Sequence, residues 1–411
     1  MYPTRKSPVT VTLGLDRLWR LSSETTGSGC DRLRNMNNID SLKTTLQQQV
    51  AERADDIEET RRIPPDLAAT LKSAQAFSLL LPETLGGPQM ALPEYIRLIQ
   101  RMGEADGSTA WAMNQGSVLS TFSHQLPLGV ARSIWTHPTV TVANGPPVGS
   151  TAVPVEGGFS ISGRWVFSSG ITHADWLIAA CTVHESSGKR GILAFVPKDQ
   201  VTIDETWDVA GLAGTASYSF AAQDLFIESA YALSPHTITD APLLYHFPTN
   251  LMFACGFASV ALGVSRAAMN FAVERSAAKV KRFQNKTLSE DPVVQSELGQ
   301  CLAEWQAIEA MLHSAVDETW ARLDGQAQPQ LSEQQRFRLR IAATHTIRRS
   351  RDITDRLYNL CSTDSIYRSN DIQRRFQDIH VISQHLQGRS ENYQTVAQYL
   401  MGLPYDRGMI S

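Results

Sequence analysis

The apolar pattern changes twice along this chain of 411 residues, and this change limits the possible folds more than any other feature. From about residue 139 to about residue 231, short apolar runs alternate with turn clusters every ten residues or so, which is typical of strands. The residues on either side follow helical spacing. The order helices, strands, helices predicts an α+β protein that is mostly helical. The predicted strands cover 140–143, 159–167, 176–181, 192–196, 201–203 and 225–227.

We divide the chain into four segments. Residues 1–38, rich in Ser, Thr, Gly and Asn, are predicted to be a disordered tail. Residues 39–136 are predicted to form an N-terminal helical domain, and 137–235 a middle β-barrel or sandwich that is mainly antiparallel. Residues 236–411 are predicted to form a C-terminal four-helix bundle.

Particular residues mark the predicted helices. Leu42, Leu46 and Val50 form one apolar stripe, while Pro65 and Pro93 suit the first turn of two further helices. Residues 251–264 are apolar nearly all round, so this helix is predicted to be fully buried. Long helices are predicted at 268–283, 293–322 and 332–359.

Charge and cysteine content exclude several classes of function. The net charge of −4 gives no basis for nucleic-acid or membrane binding. The apolar stretch near the N-terminus is too short and too polar for a signal peptide or anchor. The five cysteines are far apart and show no zinc-binding or disulfide spacing, so we expect no metal and a reduced, cytoplasmic context.

The chain contains neither GxGxxG after a strand nor GxxxxGK[ST]. A nicotinamide nucleotide therefore has no recognisable Rossmann site here. If the protein carries out redox chemistry, its electrons are expected to arrive on another carrier.

The segment Gly163-Arg164-Trp165-Val166-Phe167-Ser168-Ser169-Gly170 is the main candidate for a ligand site. Alternation along a strand would place Phe159, Ile161, Trp165, Phe167 and Ser169 on one side of the sheet. Aromatic rings that end in a hydroxyl suit a flat heterocyclic ligand, by stacking and one hydrogen bond. The alternative is an ordinary core strand that runs into a turn.

Several motifs in this order resemble the acyl-CoA dehydrogenase fold, and more closely its flavin-dependent monooxygenase branch. The resemblance covers roughly residues 40–405. It is carried by Gly107-Ser108-Thr109-Ala110-Trp111, Val155-Glu156-Gly157-Gly158-Phe159, the strand above with His173-Ala174-Asp175-Trp176, Trp207 with Gly211-Leu212-Ala213-Gly214-Thr215-Ala216-Ser217, and Arg374-Arg375-Phe376-Gln377-Asp378 with His385.

The resemblance implies the oxygenase component of a two-component system. Such a protein takes reduced FMN or FAD from a separate NAD(P)H:flavin reductase and reacts with O2 through a C4a-hydroperoxyflavin. It oxygenates a small aromatic, organosulfur or amine substrate. The resemblance also implies a homotetramer.

The flavin site implied by the resemblance includes Trp165, Phe167, Ser168 and Ser169, with Ser169 donating a hydrogen bond near flavin N5. Asp378 belongs to the same site. Arg282 would hold the flavin phosphate of a neighbouring subunit, or else is a solvated charge at a helix end. Cys361-Ser362-Thr363 replaces the Gly-Gly pair of the dehydrogenases, which favours exchangeable flavin, with FMN preferred over FAD.

Dehydrogenation of an acyl thioester needs a carboxylate base. By the resemblance, that base would stand eight residues after Asp378, where this chain has Leu386, or near Phe253 and Ala254, which are also apolar. This argues against a dehydrogenase, although one that uses an unplaced base stays an alternative. A non-catalytic scaffold is a second alternative.

Three further residues are candidates for chemistry. His385 is expected to act over the flavin as a donor and proton shuttle that titrates near neutrality, the alternative being a solvated histidine near a helix end. Asp378, Ile382 and His385 would share one helix face. His124 and Ser120 are candidates for substrate contact, although His124 could simply end its helix.

Overall fold

The computed structural model describes residues 44–185, 188–234, 241–280 and 285–411. The predicted tail 1–38 and Arg282 lie outside the described residues. Helices precede and follow a sheet, so the predicted mostly helical α+β architecture is confirmed. The helices are α1 (44–52), α2 (Ala54–Thr60), α3 (Pro65–Ser73), α4 (Leu92–Ala105), α5 (Gly107–Ser120), α6 (Leu128–Ile134), α7 (Thr249–Ala278), α8 (Pro292–Leu323), α9 (Glu333–Cys361), α10 (Asp371–Gln384) and α11 (Glu391–Leu400).

Helices α4 and α5 bring the N-terminal part against the rest of the molecule. Asp106 separates them and caps α5, because its carboxylate accepts a hydrogen bond from the backbone N–H of Thr109 at 2.6 Å. Helix α5 is buried on nearly every side, including Trp111. It can therefore carry side chains into the centre of the protein.

The middle of the chain forms one sheet with strands β1 (Val142–Gly145), β2 (Pro147–Val155), β3 (Gly158–Ser168), β4 (Trp176–Glu185), β5 (Gly188–Pro197), β6 (Thr202–Asp204), β7 (Tyr218–Glu228) and β8 (Ala232–Leu233). The strand order is β6-β7-β3-β2-β4-β5-β8, and β1 pairs with β4. Strand β4 is parallel to both β1 and β2, so the sheet is mixed. Five of the seven described pairings are antiparallel, as expected from the sequence, and the strands trace an open path from β6 to β8.

Helix α7 is the central helix of the C-terminal part. It packs against α4, α8, α9 and α10 and is almost completely buried, as its all-round apolar sequence predicts. Among the described residues, α7 alone is long and apolar enough to cross a membrane, but 94% of its most apolar window is buried inside the protein. It is therefore a core helix.

Candidate active site

The end of β3 departs from regular alternation. The pairing of β3 with β7 shifts register between Trp165 and Ser168, and Phe167 has a left-handed backbone with φ of 56°. The expectation that Trp165, Phe167 and Ser169 share one side is therefore wrong. The bulge turns consecutive side chains in directions that a regular strand does not allow.

Trp165 lies in the core of the sheet domain. Its ring is fully buried and stacks on Phe220 at 4.9 Å between centroids. Its indole N–H donates to the carbonyl of Ala180 at 2.8 Å. The prediction that Trp165 contacts the cofactor is corrected, because both its ring and its polar atom are already engaged inside the sheet.

Phe167 and Ser168 point to opposite environments. Phe167 is 60% exposed, and its ring meets that of Trp207 edge to face at 6.0 Å. Ser168 is fully buried, and its Oγ has no hydrogen-bond partner among the described residues. A left-handed backbone at a bulky residue costs on the order of 1–3 kcal/mol, so the strand holds this aromatic ring at the surface at a cost in stability.

Ser169 begins a chain of buried hydroxyl groups. Its Oγ accepts the indole N–H of Trp111 at 3.0 Å and lies 2.7 Å from the Oγ of Ser217. Ser217 Oγ lies 2.7 Å from Thr215 Oγ1, which donates to the carbonyl of Leu212 at 2.8 Å. The turn after β3 is thereby tied to α5 and to the loop before β7.

His385 lies against the same tryptophan. Its ring meets those of Trp111 at 5.1 Å and Phe257 at 4.7 Å, both edge to face. Burial lowers its pKa to about 4, and the Arg340 guanidinium adds to this effect. The expectations of a solvated histidine and of titration near neutrality are both wrong.

The tautomer of His385 follows from its neighbours. The backbone N–H of Gln387 donates to Nδ1 at 3.4 Å, so the proton of the neutral ring is on Nε2. Helix α10 ends at Gln384, and His385 caps the short helical turn that follows. Its position is therefore set by an extended backbone (φ −64°, ψ 148°) between the helix and this turn, whereas continued helix geometry was expected.

Asp378 is a buried structural anchor. Its Oδ1 accepts the backbone N–H of Leu212 at 2.6 Å, whereas Oδ2 has no partner among the described residues. Burial, and to a smaller extent the nearby Asp106, raises its pKa to about 7. The predicted contact with cofactor is replaced by a hold on the loop that carries Thr215 and Ser217.

A cavity of about 780 Å³ has Phe253, Tyr245 and Asn144 among its lining residues, whereas Trp111, Ser169 and His385 do not line it. Phe253 stacks on Phe257 at 5.9 Å, which connects the cavity to the rings around His385. Gln115 donates to the side-chain oxygen of Asn144 at 2.5 Å and so fixes this amide.

The two predicted substrate residues differ in their placement. His124 stacks on Tyr245 at 4.6 Å, next to the cavity wall. Ser120 is buried and donates its hydroxyl proton to the carbonyl of Ser117 at 2.7 Å, within its own helix. The hydroxyl proton of Ser120 is therefore engaged within its helix, and only the lone pairs of its Oγ are left for a substrate.

The sequence did not assign roles to Trp111, Thr215, Ser217 or Phe257. Three of them were present in motifs that carried the resemblance, but their mutual contacts depend on tertiary packing. Phe257 appeared only as one apolar residue of a buried helix. No spacing in the sequence indicates that these side chains meet.

The chain is similar in sequence to one family of known proteins. The models for the N-terminal and C-terminal domains of acyl-CoA dehydrogenases match residues 38–125 and 255–389. The chain is 25% identical over 350 residues to indole-3-acetate monooxygenase of Acinetobacter baumannii, which covers 83% of this chain and 88% of that protein.

Two further proteins agree. The oxygenase subunit HsaA of a flavin-dependent monooxygenase from Rhodococcus jostii is 26% identical, covering 84% of this chain and 92% of its own length. The structure of XiaF from a Streptomyces species, in complex with FADH2 and glycerol, superposes with a TM-score of 0.80 at 22% identity, covering 89% of this chain and 98% of that one. The chain belongs to the acyl-CoA dehydrogenase superfamily, in its flavin-dependent monooxygenase branch.

Proposed function

We propose that this flavin-dependent monooxygenase is the oxygenase component that receives reduced flavin from a separate NAD(P)H:flavin reductase and oxygenates a small organic substrate. The observation that carries the proposal is the arrangement around Trp111. Ser169 accepts a hydrogen bond from its indole N–H, and the half-buried His385 meets its ring. Phe257 and Phe253 link His385 to a cavity that could hold a substrate.

The residues at the end of β3 fit a flavin. Phe167 offers an exposed ring face, and Ser169 offers a hydroxyl that is 8% exposed. Reduced flavin, when bound, supplies the electrons that activate O2. FMN remains preferred over FAD, because Cys361-Ser362-Thr363 stands where the dehydrogenases have a glycine pair. The phosphate contact proposed for Arg282 rests on the resemblance alone.

His385 acts as a neutral hydrogen-bond donor in this proposal. With a pKa of about 4, the ring keeps a single proton on Nε2 across the physiological range. It can orient an oxygen atom by donation while Trp111 and Phe257 exclude water around it. Proton release from an imidazolium is not needed for this role.

The substrate is proposed to bind in the cavity beside Phe253. Its volume of about 780 Å³ lies within the range of small-molecule sites, roughly 300–1,000 Å³. Aromatic side chains and fixed amides such as Asn144 suit an aromatic, sulfur or amine substrate. His124 keeps a proposed role through Tyr245, on which it stacks.

Assembly and location belong to the same proposal. We propose a homotetramer, as the family resemblance implies, which light scattering on the purified chain would check. A cytoplasmic location agrees with Cys181, Cys255, Cys301 and Cys361, which are buried free thiols.

The proposed function is tested by mixing the anaerobic protein with reduced FMN or FAD and then with air-saturated buffer. We expect reduced flavin to bind and oxygen to be consumed, with transfer to aromatic test substrates followed by mass spectrometry. Bleaching of oxidised bound flavin by an acyl-CoA without oxygen would instead indicate the dehydrogenase. Failure to bind reduced flavin at micromolar concentration would favour a scaffold.

A further inference from the structure

We infer that Thr215 and Ser217 fix the direction of the Ser169 hydroxyl, so that Ser169 can only accept a hydrogen bond from the flavin. The site would then select reduced flavin over oxidised flavin. This inference rests on the proposed function and assigns two further positioning residues to it.

The direction of the chain is set at its far end. The carbonyl of Leu212 can only accept, and Thr215 donates its single hydroxyl proton to it across 2.8 Å, beside the indole N–H of Trp207 at 3.0 Å. Ser217 must then donate to Thr215, because Thr215 has no proton left for the contact of 2.7 Å. By the same reasoning, Ser169 must donate to Ser217, also across 2.7 Å.

Trp111 fixes the other side of Ser169. Its indole N–H is a donor only, and it points at Ser169 Oγ from 3.0 Å. One lone pair of Ser169 is therefore occupied and its proton is used, which leaves one acceptor position. Thr215 and Ser217 are buried, so water has little access to replace or reverse these bonds.

The polarity of flavin N5 depends on its redox state. Reduced flavin carries a hydrogen on N5 and can donate it, whereas N5 of oxidised flavin carries only a lone pair. A Ser169 that can only accept matches the first and opposes the second. The inference replaces the donor role near N5 that the sequence led us to expect for Ser169 with an acceptor role.

The test compares dissociation constants for reduced and oxidised FMN, measured by anaerobic equilibrium dialysis. The wild-type protein is expected to bind reduced FMN at least about tenfold more tightly, the equivalent of one hydrogen bond. Ser217→Ala frees the Ser169 proton for donation. It should therefore tighten binding of oxidised FMN and move the ratio of the two constants toward one.

Matched variants separate this effect from damage to the fold. Ser219→Ala removes a buried hydroxyl two residues after Ser217. This hydroxyl is bonded to Thr206 and not to the hydroxyl groups of Ser169, Ser217 and Thr215, so the variant should keep the wild-type ratio. Thr215→Val should act like Ser217→Ala because Ser217 loses its acceptor, whereas Thr215→Ser should restore the wild-type ratio.

The possible results distinguish failure of the role of Thr215 and Ser217 from failure of the proposed function. Equal affinity of the wild type for both redox states, or equal weakening of both by Ser217→Ala and Thr215→Val, would overturn the assignment of Thr215 and Ser217 alone. Binding of neither flavin by the wild type would overturn the proposed function, and this inference with it.

Discussion

The side chains of Ser169 and His385 were predicted from the sequence to belong to the site, but their protonation was not. Both contact Trp111, which agrees with their expected place in one site, although the sequence assigned no role to Trp111. The low pKa of His385 and the spent proton of Ser169 could not be foreseen. Both depend on burial and on partners far away in sequence.

Replacement of His385 tests the donor role. His385→Ala should divert oxygen to hydrogen peroxide, so that peroxide release rises several-fold while product falls, as measured by paired peroxide and product assays. His385→Asn keeps a neutral N–H donor and should recover part of the coupling. His345→Ala, outside the cluster and bonded to Tyr393, is the control.

The same role predicts the pH dependence of coupling. Because the pKa of His385 is about 4, its charge does not change between pH 6 and 8, and the ratio of product to peroxide should be constant there. A change in this ratio that centres near pH 6.5 and disappears in His385→Asn would contradict the neutral-donor role.

Phe167 tests whether backbone strain supports a binding surface. Phe167→Ala keeps the left-handed residue and removes the ring, whereas Phe167→Gly removes both ring and strain. Both variants should weaken binding of reduced FMN by about tenfold, since a stacking contact is worth roughly 0.5–1.5 kcal/mol. In urea unfolding, Phe167→Gly should be more stable than Phe167→Ala by about 1 kcal/mol, because glycine adopts the left-handed backbone without strain.

Among the elements, helices were easier to predict than strands. The start of α3 and most of α8 and α9 follow from proline and periodicity, because each helix buries one clear stripe. Strand β2 was missed since Pro147, Gly149 and Pro154 interrupt it, and its parallel pairing with β4 is a tertiary feature. The apolar segment at 251–264 and the predicted helix that follows it are one continuous helix, α7.

The contact between α4 and α7 depends on glycine. A Cβ added at Gly263 would lie 2.2 Å from the carbonyl oxygen of Gln100, and one at Gly103 would lie 2.9 Å from that of Val260. Gly263→Ala must therefore push the two helices apart and should destabilise the protein by about 1–3 kcal/mol in urea unfolding.

A second glycine provides the control for that experiment. Gly299 lies inside α8, and a Cβ there would meet nothing within 4 Å. Gly299→Ala should raise stability by about 0.5–1 kcal/mol, because alanine favours the helix. Equal effects of the two substitutions would show that helix propensity, and not the close approach, determines the result.

At the scale of the whole molecule, buried acids and buried histidines change the free energy of unfolding in opposite directions as the pH changes. Burial lowers the pKa values of His173 to about 3 and His313 to about 4, so their contribution to stability is lost as pH falls below about 6.5. Burial raises the pKa values of Asp378 and Glu104 to about 7, so theirs is lost as pH rises from about 4 to about 7.

Removal of one acid should expose the response of the histidines. In Asp378→Asn, the amide stays neutral at every pH and its oxygen can still accept from Leu212. The variant should match wild type in stability near pH 4 and become more stable than wild type as the pH rises toward 7, by at most about 1.4 kcal/mol per pH unit. Urea unfolding at several pH values measures this difference, and a constant offset would contradict it.

The hold of Asp378 on Leu212 has a consequence for how such a protein can diversify. Helix α10 holds the loop of Thr215 and Ser217 through Asp378, and it leads directly into His385. The hydroxyl groups and His385 are therefore both positioned by this one helix. One link between the cavity and His385 runs through Phe253, which lines the cavity, and Phe257, which contacts both rings. Mutation can therefore remodel the cavity for a new substrate and leave the oxygen chemistry intact, whereas a change in α10 disturbs every reaction that the site performs.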